Sequence, residues 1–435
     1  MVDSRDSTSK ASENAGGSAK VGNFRWVICA LLLFGTTKNY MDRNVLGVLN
    51  TTLQHDLGWS EIDYSNLVVA FQAAYAVGML LAGRFIDRLG TRLGYAFAMI
   101  FWSLASMGTA LGGSLASFAA FRLALGLGEA AVFPASIKAV AEWFPKKERA
   151  LATGIFNAGT NIGAILTPLV VPWLVGLWGW RGAFVGVGAL GFIWLIFWLL
   201  IYRRPEEHPR VSPNELAYIQ SEPSSSKQKI KWSRLFPLRQ TWAFAFGKFL
   251  IDPVWWFYLF WLPAFLQRKH GLSLQQIFIP IMVVYLISDV GSVVGGWISS
   301  SLLKKGQSVN TARKTALLIC AICVLPVVFV PHMESMWNAV LLIGLAAAGH
   351  QGFSANLYTL TSDMFPARAI GSVVGIGGMF GAVGGLLIAT LVGHVLQRTG
   401  SYQVPFLIAG IAYFLALGVI QLLAPRLESP RLDDE

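Results

Sequence analysis

Residues 183–202 read Ala-Phe-Val-Gly-Val-Gly-Ala-Leu-Gly-Phe-Ile-Trp-Leu-Ile-Phe-Trp-Leu-Leu-Ile-Tyr, a run without a single charge, preceded by Arg181 and followed at once by Arg203 and Arg204. About 20 apolar residues at ~1.5 Å each make a helix as long as the hydrocarbon core of a bilayer is thick. A second uncharged run, 404–425, has the same character. Composition extends the reading to the whole chain. Of 435 residues, 54% are hydrophobic and 13% charged, where soluble domains carry about 25% charged residues. The polar surface for two or three water-facing domains does not exist here. A net charge of +11 would suggest a nucleic-acid partner in a soluble protein; in a membrane protein it asks first which side holds the excess. The three cysteines, Cys29, Cys320 and Cys323, all stand in apolar runs, so no secreted disulfide framework is implied. Cys320-x-x-Cys323 has the spacing of a redox or zinc pair but no His or acidic neighbour, and reads as packing.

Outward from the opening run, twelve candidate spans follow, at 24–49, 63–84, 93–112, 115–142, 149–173, 181–202, 242–267, 274–302, 313–331, 335–363, 368–398 and 402–425. Residues 1–23 are polar and read as a disordered cytoplasmic tail. Residues 24–202 form a first six-helix half, 203–241 a cytoplasmic linker, 242–425 a second half and 426–435 a tail. Prolines at 205, 209 and 213 and the 224–226 serine run argue against a packed domain in the linker, apart from one short amphipathic helix around 214–220. The tails and even-numbered loops hold Arg84, Arg88, Arg92, Lys146, Lys147, Arg149, Lys304, Lys305, Arg313 and Lys314 besides the linker cations. The odd-numbered loops hold only Arg181, Arg268, Lys269 and Arg398. Both termini are therefore expected in the cytoplasm. Duplication supports the two halves: Glu142-Trp-Phe-Pro145 recurs as Asp363-Met-Phe-Pro366 at an offset of 221, with Gly154 on Gly375 and Gly163 on Gly384. Gly78-(x4)-Gly83 recurs as Gly291-(x4)-Gly296.

A charge at mid-bilayer costs roughly 2.5–3.5 kcal/mol on insertion scales, so it needs a partner or a wet cavity. The first span holds Lys38, Asp42 and Arg43; the fourth holds Arg122, Glu129 and Lys138; the seventh holds Lys248 and Asp252; the eighth holds Asp289. Lys38–Asp42 and Lys248–Asp252, each four apart, could be plain ion pairs. Two cations and one anion in the first span do not balance, however. Arg43 and Arg122 make the better ligands for an anion, because guanidinium presents a planar fork matched to a carboxylate. Asp42 and Glu129 read as titratable neighbours of those arginines, with protonation states open to change by substrate or by access from one side. Proton coupling requires such groups. Around them lie Asn39, Tyr40, Gln72, Tyr75, the fifth-span face Asn157, Thr160 and Asn161, and in the tenth span His350, Gln351, Ser354, Asn356, Tyr358 and Thr359. Each alone could be interhelical glue; together they suit a polyhydroxylated ligand, with Trp255, Trp256, Trp261 or Tyr358 available to stack on a sugar face. At the 221 offset Glu129 meets His350, Arg122 meets Ile343 and Asn157 meets Gly378. The first half keeps the charge and the second keeps the polar and aromatic groups.

The loop after the second span, Gly83-Arg-Phe-Ile-Asp87-Arg88-Leu-Gly90-Thr-Arg92, resembles the G-x-x-x-D-R-x-G-x-R motif of the major facilitator superfamily. That resemblance implies a gate in which the acid and arginines latch the cytoplasmic helix ends in the outward-facing state. The second-half copy, Gly295-Gly296-Trp-Ile-Ser-Ser300, lacks the acid. Asn39-Tyr40-Met41-Asp42-Arg43 and Arg122-(x3)-Gly126-x-Gly128-Glu129-Ala130-(x3)-Pro134-Ala135 are similar to the anion:cation symporter family. Glu142-Trp-Phe-Pro-Lys-Lys-Glu-Arg-Ala and His350-Gln351-Gly-Phe-Ser354-Ala-Asn356-Leu-Tyr358 resemble the hexuronate transporters within it, which import glucuronate or galacturonate with protons. The resemblance implies that Arg43 and Tyr75 contact the substrate carboxylate or hydroxyls. It makes Asp42 and Glu129 the protonatable pair, with Arg122 linked to Glu129. Tyr40, Asn157, Thr160, Gln351, Ser354 and Tyr358 complete the expected site. Related carriers of open-chain aldonates have an Asn where Gly378 stands.

The expectation is an all-α membrane protein of twelve transmembrane helices in two pseudo-symmetric six-helix halves, the major facilitator fold. It is expected in the bacterial inner membrane as a monomer, with a small organic anion, protons and the bilayer as partners, and without nucleic acid, metal or organic cofactor. Proton-coupled import of a hexuronate is the leading function. The alternative is a symporter or facilitator for an aldonate, a dicarboxylate or an aromatic acid. No catalytic constellation is visible in the sequence.

Overall fold

Lipid offers no hydrogen bonds, so each apolar run must satisfy its own backbone, and a helix does so within the segment. The computed structural model describes residues 22–221, 232–365 and 367–428; most of the two expected tails and the centre of the linker lie outside the described residues. Among the described residues the regular elements are helices: α1 (Arg25–Val48), α2 (Asn50–Leu57), α3 (Glu61–Gly108), α4 (Leu115–Glu129), α5 (Val132–Trp143), α6 (Lys146–Ile201), α7 (Pro213–Ile219), α8 (Trp232–Leu235), α9 (Arg239–His270), α10 (Phe278–Lys304), α11 (Val309–Val324), α12 (Met336–Met364), α13 (Ala367–Thr399) and α14 (Gln403–Leu423), joined by short 3-10 turns. Ser60, Ser114, Ser212, Ser308 and Ser335 each accept a backbone N–H three residues on, so serine caps set five of the described starts.

Two of these elements are pairs of arms. Gly90 (φ 77°) interrupts α3 and Gly179 (φ 67°) interrupts α6. Both lie in the left-handed half of backbone space, which glycine enters without a steric penalty. The chain turns back there: a Cβ on Gly94 would lie 2.8 Å from Ile86, and one on Gly186 would lie 2.9 Å from Leu174. Among the described residues ten helices are long and apolar enough to cross a membrane. This number differs from the expected twelve for two physical reasons. The segment 152–201 counts as one although it folds back at Gly179. Helix α1 is left out of the ten, and it carries Arg25, Lys38, Asp42 and Arg43.

Helices α1 and α3–α6 pack on one another, as do α9–α14, and the two groups meet along α3–α13, α1–α9 and α6–α10. The 183–202 run shows how side chains choose their faces. Ile193, Ile196, Phe197 and Leu200 are exposed, whereas Trp194, Trp198 and Tyr202 are buried at four-residue spacing. Their rings stack at 4.8 and 4.1 Å, and Tyr95 on α3 packs against Trp194 and Trp198. Indole N–H groups then tie this arm to its neighbours: Trp194 donates to Leu31 O at 2.7 Å and Trp198 to Arg92 O at 2.9 Å.

At the end of the bundle that carries Arg25 and the linker, here the terminal end, the expected short linker helix is present as α7, capped by Ser212. The linker is more closely fastened than its composition suggests. Buried Glu215 accepts from the Arg25 backbone N–H at 3.1 Å, Arg25 pairs with Glu148 at 2.8 Å, and the Tyr218 hydroxyl donates to Glu148 at 2.8 Å. The expected gating loop sits at the same end. Gly90 makes its turn, Gly83 is half-buried, and Arg88 and Arg92 are exposed; the Asp87 side chain lies outside the description. Arg92 donates to Leu199 O at 2.6 Å and Thr91 to Glu142 at 2.7 Å, so the described bonds of this loop run within the first group of helices.

Hydrogen bonds between the two groups gather instead at the far end. Tyr64 donates to Phe260 O at 2.8 Å, Ser65 to Ala389 O at 2.8 Å, and Thr51 to Gln267 at 2.6 Å. The Glu61 backbone N–H donates to Gln397, and Arg268 pairs with Glu61 and bonds Gln54. Near mid-depth, Asn161 on α6 donates to Asp289 on α10.

Candidate substrate and proton site

The centre of the bundle is organised around Arg43. Gly126 on α4 has no side chain because a Cβ there would run into the Phe71 carbonyl and sit 3.1 Å from Ala74 and from the Tyr75 backbone nitrogen. That close approach of α4 to α3 brings Phe71 and Tyr75 beside the end of α4. Helix α4 stops at Glu129, and Ala131 N–H turns back to Gly128 O before α5 begins, so Glu129 occupies a break in the span. Across from it α1 presents Arg43, whose Nε donates to Glu129 Oε2 at 3.0 Å and whose Nη2 lies 2.9 Å from the same oxygen. Four rings surround the guanidinium: Tyr40 at 4.7 Å, Tyr75 at 4.8 Å, Phe71 at 5.1 Å and Trp256 of α9 at 5.2 Å. Arg43 and Glu129 are each 1% exposed, so the pair is dry and its attraction little screened.

Arg122 shares the ring of Phe71, its Cζ 4.7 Å from the centroid. All three of its guanidinium nitrogens lack a hydrogen-bond partner among the described residues, as does Glu129 Oε1. An unpaired buried guanidinium is costly. The centre therefore holds a cation short of an anion.

Two expectations gain detail. The hydrogen-bonded partner of Glu129 is Arg43, and Arg122, seven residues before Glu129 on the same helix, acts on it through space without a hydrogen bond. The hydrogen bonds of Asp42 run away from the arginines. Its Oδ1 accepts from Ser106 at 2.8 Å, its Oδ2 accepts from Trp102 Nε1 at 3.1 Å, and it pairs with Lys38, which donates onward to Ser103 at 2.8 Å. Consecutive helical residues point about 100° apart. Arg43 on the inner face therefore leaves Asp42 turned into α3, and the plain ion pair holds for Lys38–Asp42.

The remaining expected residues divide. Tyr40 and Tyr75 belong to the ring of aromatics around Arg43. Tyr358 is 42% exposed, yet close enough to Tyr40 and Tyr75 to interact with them electrostatically. It lies in the last two turns of α12, toward the terminal end. Thr160 and Ser354 are buried, Gln351 is half-buried and Asn157 is exposed. His350 is turned away into its own group, bonded to the Tyr413 hydroxyl at 2.6 Å and stacked on Trp255 at 5.0 Å. Asn356 is interhelical glue, donating to Gly295 O and Gly352 O at 2.9 Å each. Phe71 was missed as a site residue, and Trp256 was named only among rings that could stack on a sugar. The available signal for Phe71 was its place four before Tyr75, on whose ring it stacks at 5.8 Å. Gln72 is fully buried with both amide atoms unpartnered. Among the described residues no group of His, Cys, Asp and Glu has the arrangement of a metal site.

A helical bundle of this construction, with a buried charged centre, a far end closed by bonds between its two groups and a solvent-exposed tyrosine at the other, is that of a multi-pass membrane transporter. Residues 32–389 match the model of the Major Facilitator Superfamily, and the chain belongs to that family. It is 33% identical to the hexuronate transporter of Escherichia coli over 409 residues, 92% of this chain and 94% of the relative. It is 35% identical to the galacturonate transporter of Dickeya chrysanthemi over 306 residues, 69% of this chain and 88% of that one. In fold it is similar to a bacterial homologue of the human lysosomal transporter Spinster, with a TM-score of 0.74 at 17% identity, covering 93% of this chain and 98% of the other. It is similar also to a D-xylose–proton symporter, with a TM-score of 0.72 at 16% identity, covering 93% and 99%.

Proposed function

We propose that this transporter imports an organic anion together with protons across the bacterial inner membrane by alternating access, and that the anion is a hexuronate such as glucuronate or galacturonate. The observation that carries the reading is the Arg43–Glu129 pair set beside the unpartnered Arg122. While Glu129 is ionised it occupies the Arg43 fork. Protonation of Glu129 releases that fork, and a substrate carboxylate takes its place with a charge-assisted bidentate geometry. One proton and one anion are then loaded together, because the Arg43 fork holds one carboxylate at a time and must be released by Glu129 before the substrate can take it. Arg122 supplies the standing positive field that draws the anion in. Asp42 enters as the second protonatable carboxyl through Lys38, its ion-pair partner. Tyr40, Tyr75, Asn157, Thr160, Gln351, Ser354 and Tyr358 are the proposed contacts to the rest of the substrate.

The distribution of Lys and Arg supports a cytoplasmic location for the terminal end. On that orientation the Arg268–Glu61 end is periplasmic and closed by the bonds between the two groups, which is the arrangement of an inward-facing state. Gly83, Asp87, Arg88, Gly90 and Arg92 are then the proposed cytoplasmic gate, engaged in the opposite state. The names of the hexuronate and galacturonate relatives support a sugar acid as substrate. A second reading, an aldonate or aldarate, is favoured by relatives named for galactarate, D-glucarate and L-galactonate at 28–29% identity. The local geometry at Gly378 supports the ring-shaped substrate: a Cβ there would meet only the Met79 methyl, at 4.0 Å, so space remains beside α13.

Thermal stabilisation of the purified protein by a substrate panel separates these readings. A ligand at one hundred times its Kd stabilises by about 2.7 kcal/mol, which raises Tm by a few degrees. Glucuronate and galacturonate should give the largest rises, ahead of galactonate, galactarate and benzoate. A larger rise with any of those three, and none with the uronates, rejects the hexuronate assignment.

A further inference from the structure

The second half carries its own charged pair, on the helix that opens that half as α1 opens the first. Lys248 and Asp252 stand 210 positions after Lys38 and Asp42 with the same four-residue spacing. The surroundings of the two pairs differ. In the first half every polar atom is sealed: Asp42 takes bonds from Ser106 and Trp102, Lys38 gives one to Ser103, and both side chains are 0% exposed. In the second half Lys248 Nζ lies 2.8 Å from Asp252 Oδ1, and Lys248 is the only described side chain that donates to that carboxylate. The facing helix α13 offers glycine where a side chain would close the site. A Cβ on Gly381 would collide with the Asp252 carboxylate, and one on Gly377 would collide with the Phe244 ring and lie 3.3 Å from Lys248. The pair keeps 7% and 17% side-chain exposure, and Lys248 Nζ sits 4.7 Å from the ring of Tyr358. Trp256, one turn after Asp252 on α9, lies 5.2 Å from the Arg43 guanidinium, and Tyr358 acts through space on Tyr40 and Tyr75, so Lys248 and Asp252 stand on the second-half side of the Arg43 centre.

Resting on the sugar-acid reading above, we propose that Lys248, Asp252 and Tyr358 form a hydroxyl-reading subsite that selects polyhydroxylated acids over acids that carry only a carboxylate. A hydroxyl both donates and accepts. Two neighbouring sugar hydroxyls find in this pair an acceptor and a donor already held side by side, and the Tyr358 ring offers a surface to the C–H face. A neutral ion pair has no net charge with which to recruit the carboxylate itself, so the two ends of the substrate are divided between the halves: carboxylate to Arg43, hydroxyls to Lys248–Asp252.

The test measures Kd by calorimetric titration of the full-length protein with D-glucuronate and with cyclohexanecarboxylate, a ring acid of similar size without hydroxyls. Asp252→Asn should weaken glucuronate about tenfold, the scale of one lost hydrogen bond to a charged group, and leave cyclohexanecarboxylate within about twofold. Removing one partner leaves the other charge buried, so the double variant Lys248→Met, Asp252→Leu, which removes both, provides a second variant with no charge left over and should show the same selective loss. Equal weakening of both acids, or unchanged glucuronate binding in both variants, overturns the proposal. So does a Lys248→Gln variant that loses galactarate alone, which would make Lys248 a ligand for a second carboxylate. If the unaltered protein binds galactonate and not glucuronate, the hexuronate reading has failed and the subsite is judged by the same ratio with galactonate. If it prefers the hydroxyl-free acid, both fail.

Discussion

Arg43→Ala is expected to reduce glucuronate binding at least about a hundredfold, because a buried charge-assisted pair is worth some 3–5 kcal/mol against its broken form. The side chain removed is the one that the proposed mechanism hands from Glu129 to the substrate. Its loss also strands Glu129, which has no second partner on Oε1. The clean experiment therefore adds the double variant Arg43→Ala, Glu129→Gln. That protein has no stranded carboxylate, although Arg122 stays unpartnered, and it should regain part of the lost thermal stability without regaining binding. Arg43→Lys should fall between, since an ammonium keeps the charge but loses the planar fork. Binding retained in the double variant would give the carboxylate to Arg122 instead.

Glu129→Gln should separate transport from its driving force. Glutamine cannot ionise, so Arg43 is permanently free to receive the anion. Substrate exchange across proteoliposomes should persist near the unaltered level, and glucuronate affinity should hold or improve. Accumulation driven by a pH gradient should fall to equilibration, because the proposed proton site is gone. Counterflow and gradient-driven uptake measured on the same vesicles distinguish the two. Parallel loss of both activities would make Glu129 a structural partner of Arg43 and no more.

The sequence made the charged centre legible because mid-membrane charges are rare and expensive. Arg43, Glu129 and Arg122 stood out for that reason alone, and the structure brings Arg43 and Glu129 into contact. The pairing was harder to read. Arg122 and Glu129 lie on one face of one span, and periodicity reports a shared face without a distance; the bond that exists runs between two helices, Arg43 to Glu129, and no spacing rule encodes it. Asp42 illustrates the same limit, since one residue's shift turns it from the arginine face into Ser106 and Trp102. Phe71 escaped notice for another reason. In an apolar span an aromatic residue looks the same whether it meets lipid or a guanidinium, and Trp256 could be named only as one ring among several. In the fold, the uncharged runs announced most of the membrane helices directly. Helix α1 was less plain by hydropathy because its functional charges dilute it, and the boundary between the 149–173 and 181–202 spans falls at Gly179, in an apolar stretch where only Arg181 marks the turn.

The account stands on one exchange, a proton onto Glu129 for a carboxylate onto Arg43. The direct measurement is proton movement in proteoliposomes that contain a pH-sensitive dye and no imposed gradient. Adding glucuronate outside should acidify the lumen in step with uptake of labelled substrate, and Glu129→Gln should abolish the acidification while leaving exchange intact. Glucuronate entry with no change in lumenal pH, unaltered when the pH gradient is collapsed by a protonophore, would contradict it.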